Sequence, residues 1–209
     1  PALLRGNIIH DALCRLYEDK PDRNAIAAWS DAEAAARIDR AVESVFARYR
    51  RHAAVTLGAL LSLESRRVAD LLLQLVKLDI ERDEFSILET EQEIRFTEER
   101  VNLALRADRI DRFPDGTLAV LDYKTGARKR FLGGDRQPLE IQLVAYACAL
   151  QETVSALALV NIDSRDVSFD GAGRGYTNEA TWHDELEQWQ QSVRTACAEL
   201  GRGDVRVDR

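Results

Sequence analysis

A stretch in the middle of the 209-residue chain, LRADRIDRFPDGTLAVLDYKTG (105–126), constrains the fold more than any other. Two apolar-rich segments flank a turn, and both carry aspartates, which strands disfavour and which are costly to bury unless they are paired or bind a metal. Proline, aspartate and glycine suit successive positions of a hairpin loop that a left-handed residue closes. The sequence therefore predicts a β-hairpin whose loop is Pro114, Asp115 and Gly116.

The length of this loop decides which aspartates face each other. Counting back from a three-residue loop places Asp108 opposite Asp122, and directly opposed side chains share a face of the sheet. Asp111 then lies opposite Ala119, on the other face. A loop one residue shorter or longer would instead bring Asp111 to the face of Asp122, so the choice of Asp108 depends on the loop.

The strand TLAVLDYK places Asp122 and Lys124 two residues apart, on one face. Two nearby carboxylates repel each other unless a proton or a cation lies between them, and oxygen ligands favour a hard cation such as Mg²⁺. A lysine beside that cation can hold a negatively charged substrate oxygen or help to deprotonate water. The pattern suits phosphodiester hydrolysis, but from spacing alone a surface hairpin with an Asp–Lys ion pair fits equally well.

Hydrophobic periodicity predicts the order of the other elements. Three helices are expected first: GNIIHDALCRLYED, SDAEAAARIDRAVESVFARYRR with a capping-box pattern, and residues 57–80. The later segments are predicted as three strands, a helix, a strand, a loop and a helix: FSILETEQEIRF, RVNLALRADRI, TLAVLDYK, PLEIQLVAYACALQE, VSALALVNI, FDGAGRG and residues 178–200. This order predicts an α/β protein with a central mixed β-sheet flanked by helices.

The composition, 45% hydrophobic and 31% charged, is that of a soluble globular domain, and no apolar run is long enough to cross a membrane. The three cysteines are scattered, which argues against a disulfide framework and for a cytoplasmic setting. A net charge of −7 argues against a generally basic nucleic-acid binder, yet residues 105–136 carry eight basic and five acidic side chains. Because the chain starts at Pro1 and has no methionine, we expect a fragment of a longer protein.

The motif ADRID…VLDYKTG resembles the core of the PD-(D/E)XK nucleases, in particular the RecB-like branch. In that branch an aspartate is followed by a D-Y-K-[ST] strand, and Asp108, Asp122 and Lys124 occupy the matching positions. Leu105 stands where the family often has a glycine, a departure that we expect to change local packing and not the chemistry.

Two further motifs carry the resemblance towards both ends of the chain. GNIIH is similar to the family's glycine–histidine helix, with Gly6 and His10, and IQLVAY is similar to its Q-x-x-x-Y helix, with Gln142 and Tyr146. The resemblance implies a restriction-endonuclease-like αβββαβ core in a single nuclease domain over residues 1–209. No motif covers residues 22–84, which we expect to be a helical insert in that domain.

The resemblance also implies roles for individual residues. His10, Asp108, Asp122 and the backbone carbonyl of Tyr123 would bind the metal, and Lys124 would position or activate the attacking water. A lone histidine near an apolar helix stripe is more often structural, so the ligand role of His10 depends on the motif.

Outside that set, each assignment has a plain structural alternative. Gln142 and Tyr146 would orient the lysine or contact phosphate, or be one polar residue and one core aromatic. Glu91 would support the site, or belong to a solvated strand face. Four basic residues would contact phosphates, or form a mobile basic loop: Arg128, Lys129, Arg130 and Arg136.

The function implied by the resemblance is that of a Mg²⁺- or Mn²⁺-dependent deoxyribonuclease. We expect an exonuclease that acts on DNA ends or single strands in repair or recombination, beside a helicase or helicase-like module. Some relatives hold an iron–sulfur cluster with four cysteines, which three scattered ones cannot reproduce, so no cluster is expected. The alternatives are a catalytically silent DNA-binding or scaffolding module, disfavoured because the motif residues are all present, and a restriction-type endonuclease, for which no base-reading element is evident.

Overall fold

The computed structural model describes residues 2–50, 55–176 and 179–202. The helices are α1 (Ala2–Leu16), α2 (Arg23–Ala27), α3 (Asp31–Arg50), α4 (Val55–Glu81), α5 (Ile141–Ala149) and α6 (Trp182–Arg202), the last preceded by a short 3₁₀ helix (Glu179–Thr181). The strands are β1 (Ser86–Glu98), β2 (Val101–Arg112), β3 (Leu118–Thr125), β4 (Val154–Ile162) and β5 (Val167–Gly173). Among the described helices, none is long and apolar enough to cross a membrane.

The five strands form one mixed sheet in the order β1-β2-β3-β4-β5. The β3–β4 pair is parallel and the other pairs are antiparallel. A parallel pair requires a crossover, and α5 supplies it. Helices α1 to α4 cover one face of the sheet, and α5 and α6 cover the other. The predicted α/β class with a mixed sheet between helices is therefore confirmed.

The central strand β3 shows how the two layers are separated. Ala119, Leu121 and Tyr123 pack with the N-terminal helices, whereas Leu118 and Val120 pack with α5 and α6. Both sets are buried because helices cover both faces of the sheet. The alternation ends in two polar side chains at the carboxyl end of the strand, and this end is where the functional residues gather.

The N-terminal helices form where periodicity predicts them. The Ser30 hydroxyl accepts a hydrogen bond from the Glu33 backbone N–H at 3.2 Å, which caps the start of α3. The short α2 was not predicted, and the Asp22 carboxylate caps it by accepting a bond from Ala25 N at 2.7 Å. Residues of α2, α3 and α4 share one hydrophobic core with α1 and the sheet. The description of residues 22–84 as an insert stays a prediction.

The segment FDGAGRG, predicted to be a glycine-rich loop, instead contributes most of β5. This part of the prediction is wrong because the glycines serve close packing. A Cβ at Gly171 would lie 2.6 Å from the carbonyl oxygen of Leu157, and one at Gly173 would collide with Ser155 O and the ring of Trp182. Gly173 also has a φ of +87°, which side chains of L-residues rarely adopt. Glycine in a strand here marks an approach that no larger residue permits.

A buried ionic cluster ties α4 and Tyr17, the residue that follows α1, to the sheet. Arg109 of β2 is 1% exposed and pairs with Asp79 of α4 at 2.7 Å and with Asp111 at 2.6 Å. Arg82 Nη1 lies 3.0 Å from Asp79 and 2.8 Å from Asp111, and the Tyr17 hydroxyl donates to Asp79 at 2.7 Å. Burial alone would raise the pKa of Asp79, but the two guanidinium groups outweigh it and lower that pKa. These five residues are called the buried Asp–Arg cluster below.

Candidate active site

The β2–β3 hairpin has the predicted three-residue loop. Phe113 N donates to Thr117 O at 2.9 Å, Gly116 N donates to Phe113 O at 2.9 Å, and Gly116 has a φ of +87°. The strands pair Asp111 with Ala119, as the loop length requires. The register prediction is therefore confirmed, and Asp111 points into the buried Asp–Arg cluster rather than to the site.

The regular pairing of β2 with β3 ends at Arg109 and Leu121. Beyond this pair, the side chain of Asp108 contacts the backbone of β3. Asp108 Oδ2 accepts a hydrogen bond from Tyr123 N at 2.6 Å. Asp108 is 7% exposed and Asp122 is 4% exposed, and both line an open pocket of about 700 Å³. Burial, followed by the negative charge of Asp108, raises the pKa of Asp122. The structure thus brings together the two aspartates that the loop length selects.

His10 of α1 projects between these strands. Its Nδ1 lies 3.2 Å from Asp108 Oδ1 and 3.7 Å from Glu91 Oε1, and its Nε2 donates to the Tyr123 carbonyl oxygen at 3.0 Å. Burial opposes the charged imidazolium, but hydrogen bonds to Asp108 and then Glu91 outweigh it and raise the pKa of His10 to about 10. The neighbouring carboxylates therefore favour the protonated, positively charged form of the ring.

Gly6, one turn before His10 in the GNIIH motif, lets α1 approach β3. A Cβ at Gly6 would stand 3.0 Å from the Thr125 hydroxyl oxygen, a distance tighter than ordinary contact. The glycine therefore has a steric role: it allows the helix close enough for the histidine to reach the acids.

Glu91 of β1 occupies the site rather than a solvated strand face. Its φ of +54° is left-handed, which for a non-glycine residue inside a strand costs roughly 1–3 kcal/mol. The regular ladder pairs Thr90 with Arg109 and Gln92 with Ala107, leaving Glu91 between them. Its carboxylate lies 2.9 Å from Arg106 Nε on one side and faces His10 on the other. Strained backbone of this kind persists where surrounding contacts hold it, and it clusters at functional sites.

The residues of the pocket fit a divalent cation. Ligand atoms of His10, Glu91 and Asp108 lie within 4.8 Å of one another. Buried Asp122 Oδ2 accepts no well-directed hydrogen bond from any group in the described chain, although Lys124 Nζ forms an ion pair with it at 2.7 Å. Carboxylate oxygens suit Mg²⁺ and Mn²⁺. The Tyr123 carbonyl, predicted as a further ligand, faces His10, and all the ligand assignments stay predictions.

Lys124 lies between two carboxylates. Its side chain is 19% exposed, with Nζ 2.7 Å from Asp122 Oδ2 and 3.4 Å from Glu140 Oε2. The other oxygen of Glu140 lies 2.7 Å from Lys129 Nζ. Glu140 was missed in the sequence because it belongs to no recognised motif and its local signal is weak. The available signal was a glutamate just before a helix, where Ser, Thr, Asp or Asn is preferred.

Gln142 and Tyr146 lie on one face of α5, as predicted. Gln142 Nε2 donates to the Tyr146 hydroxyl, and that hydroxyl donates to the Arg106 carbonyl oxygen at 2.5 Å. Tyr146 is fully buried while Gln142 is exposed and lines the pocket. The pair therefore fastens α5 to β2 behind the pocket, and its catalytic role stays a prediction.

The basic segment after β3 is more constrained than a mobile loop. Arg128 donates to the Ser168 hydroxyl at 3.0 Å, and Lys129 pairs with Glu140. Arg136 makes a two-pronged contact with Glu185 of α6, at 2.5 and 2.6 Å. Arg130 is exposed. The predicted phosphate contacts of these residues stay predictions. Arg136 is already paired with the carboxylate of Glu185.

Comparison with curated proteins found no match. Among solved structures, the crystal structure titled SSO0001 is 21% identical in sequence, with a TM-score of 0.30, and the match covers half of this chain and half of that chain. The sequence model of the PD-(D/E)XK nuclease superfamily, in contrast, matches residues 1–209. Its match covers the acidic hairpin, both flanking motifs and the mixed sheet that joins them. The chain therefore belongs to the PD-(D/E)XK nuclease superfamily, a group of metal-dependent nucleases.

Proposed function

We propose that this chain is a Mg²⁺- or Mn²⁺-dependent deoxyribonuclease of the RecB-like type, acting as an exonuclease in DNA repair or recombination. The observation that carries the proposal is the convergence of four acidic or imidazole side chains with one lysine in an open pocket: His10, Glu91, Asp108, Asp122 and Lys124. They come from α1, β1, β2 and β3, so only the folded chain assembles them.

Each of these side chains has a task that follows from its position. A divalent cation held by the acids would supply positive charge that polarises a phosphodiester and lowers the pKa of water. Asp108 and Asp122 would bind it from two adjacent strands, with His10 fixed beside them by its bond to the Tyr123 carbonyl. Lys124 Nζ faces the pocket and would hold a phosphate oxygen or orient the attacking water.

The substrate and setting rest on the resemblance to RecB-like domains together with the charge pattern. The D-Y-K-T strand and the Q-x-x-x-Y helix are the features of that branch, and exposed Arg106 adds positive charge at the pocket. On the same basis we propose that the domain works on DNA ends or single strands beside a helicase-like module. A cytoplasmic setting rests on the scattered cysteines alone. The presence of every motif residue favours an enzyme over a silent module.

The test is digestion of labelled linear, circular and single-stranded DNA, and of RNA, with Mn²⁺, with Mg²⁺ and with EDTA. Asp122→Ala and Lys124→Ala should abolish cleavage, while Asp184→Ala, which changes an exposed aspartate of α6, should leave it intact. Cleavage of linear but not circular DNA would support an exonuclease. Equal activity in all variants would refute the site, and an inactive wild type would favour the silent module.

A further inference from the structure

We infer that Glu140 is a positioning residue that holds Lys124 at the pocket, and that Lys129 in turn holds Glu140. The inference rests on the proposed function, since it concerns how the lysine of that site is kept in place. It deepens the proposal by adding two residues that no motif contains.

The Glu140 carboxylate bridges two lysines. Oε2 lies 3.4 Å from Lys124 Nζ, and Oε1 lies 2.7 Å from Lys129 Nζ. In α5, all of which the structure describes, Glu140 stands at the N-terminal boundary, yet its side chain accepts no capping hydrogen bond. Its carboxylate is turned to the lysines instead, and it is 20% exposed, so solvent screens the pairs only in part.

Lys124 would lose much of its pairing with Asp122 when a cation is bound. Asp122, its nearer partner at 2.7 Å, is also one of the proposed metal ligands. A cation bound to Asp122 would compete with Lys124 for the negative charge of that carboxylate, and it would repel the ammonium group of the lysine. Among the described residues, Glu140 is then the carboxylate that still pairs with Lys124, and a fixed partner is needed to hold the flexible lysine side chain in one position.

Lys129, at the far end of the bridge, is anchored to the sheet. Asn161 of β4, 2% exposed, accepts a hydrogen bond from Lys129 N at 2.8 Å and donates one to Lys129 O at 3.0 Å. Two residues on, Phe131 N donates to Asp170 of β5 at 2.8 Å. A buried amide with both groups satisfied fixes the backbone of Lys129. The lysine therefore projects from a fixed point towards Glu140.

The kinetic test compares Glu140→Gln and Glu140→Asp with wild type on single-stranded DNA at saturating Mn²⁺. Because a small displacement of a reacting group lowers the rate steeply, Glu140→Gln should lower kcat about 10-fold while KM changes less than about twofold. Glu140→Asp keeps the charge and should restore part of kcat. The matched control is Glu152→Gln, which removes a carboxylate paired with Arg112 at 3.7 Å, near the opposite end of β3, and should change neither constant.

A metal-free readout follows the lysine itself. The chain has four lysines, so labelling by an amine-reactive reagent in EDTA can be followed at each by peptide mass spectrometry: Lys20, Lys77, Lys124 and Lys129. In an Asp122→Asn background, which removes the charge of the nearer partner of Lys124, Glu140→Gln should accelerate labelling of Lys124 and Lys129 relative to Lys20 and Lys77. Glu152→Gln should leave all four rates unchanged.

The outcomes separate this inference from the proposed function. An active wild type with unchanged kcat in Glu140→Gln, or a rise in KM at constant kcat, would overturn the positioning role. An inactive wild type would count against the nuclease. In that case the labelling still decides, and unchanged Lys124 labelling on Glu140→Gln substitution in the Asp122→Asn background would overturn the inference.

Discussion

Asp111→Asn should destabilise the fold severely without altering the chemistry of the site. Asp111 is fully buried and accepts bonds from Arg109 Nε at 2.6 Å, Arg109 Nη2 at 3.0 Å and Arg82 Nη1 at 2.8 Å. The substitution removes the charge that faces both guanidinium groups and leaves Asp79 as their remaining carboxylate in the buried Asp–Arg cluster. Breaking a buried ion pair in this way costs about 3–5 kcal/mol. For a chain of this length that lowers the melting temperature by roughly 6–20 °C.

Asp108 lies three residues earlier, on the opposite face of the sheet. Asp108→Asn should therefore have the reverse effect: a loss of activity with little loss of stability. Asparagine can still accept the bond from Tyr123 N, and the lost contact with His10 is offset by weaker repulsion from Asp122. The melting temperature in EDTA should change by about 3 °C or less, equivalent to about 1 kcal/mol. Cleavage should fall by about two orders of magnitude or more, because even residues behind metal ligands contribute up to about 100-fold.

The assay is thermal melting of both variants in EDTA, with nuclease activity measured per folded molecule below both midpoints. Asp111→Asn should lose stability and keep activity, whereas Asp108→Asn should keep stability and lose activity, although the two aspartates lie only three residues apart. If Asp108→Asn melts as early as Asp111→Asn, or if Asp111→Asn retains the wild-type midpoint, the assignment of faces is refuted.

Three other perturbations test different parts of the structure. The folded pKa of His10, about 10, exceeds its ordinary value of 6.5, so the stability it adds is complete below pH 6.5 and is lost as pH rises towards 10. In EDTA, the melting temperature of wild type should therefore fall further than that of His10→Gln between about pH 7 and pH 9.5. Equal decreases would contradict the pairing of His10 with Asp108 and Glu91. Mn²⁺ at 100 times its Kd should stabilise wild type by about 2.7 kcal/mol in a thermal shift assay, but should not stabilise Asp108→Asn at the same concentration. Gly173→Ala should cost more than about 3 kcal/mol in denaturant unfolding, whereas Gly175→Ala, with a similar φ but open space around it, should cost about 1 kcal/mol. Similar losses would show that packing against Trp182 contributes little.

The hairpin was predictable from the sequence because its determinants are local. Loop length follows from turn chemistry within a few residues, and Asp115 completes the turn by accepting a bond from Thr117 N at 3.0 Å. The long helices were predictable for a similar reason, since their apolar stripes repeat within each segment. The site residues that belong to motifs could be named, and the structure brings His10, Asp108, Asp122 and Lys124 into one pocket.

What escaped the sequence depends on contacts between distant segments. Glu140 acquires its partners only when α5 docks beside the end of β3. Glu91 is one of three glutamates in ETEQE, and its left-handed backbone is what distinguishes it. By local preference the glycines of β5 favour turns. In the fold, however, β4 and Trp182 pack so closely against Gly171 and Gly173 that these strand positions have no room for a side chain.

The three-residue loop at the hairpin tip also limits how this domain can evolve. Exposed turns are usually where chains tolerate insertions and deletions. Here one added or deleted residue would exchange the faces of β2 relative to β3, carrying Asp108 towards the core and Asp111 towards the pocket. The residues at the tip can be substituted during evolution, but the length of the loop must be kept. Relatives that keep the chemistry should conserve the spacing between the two aspartates more strictly than the residues within it.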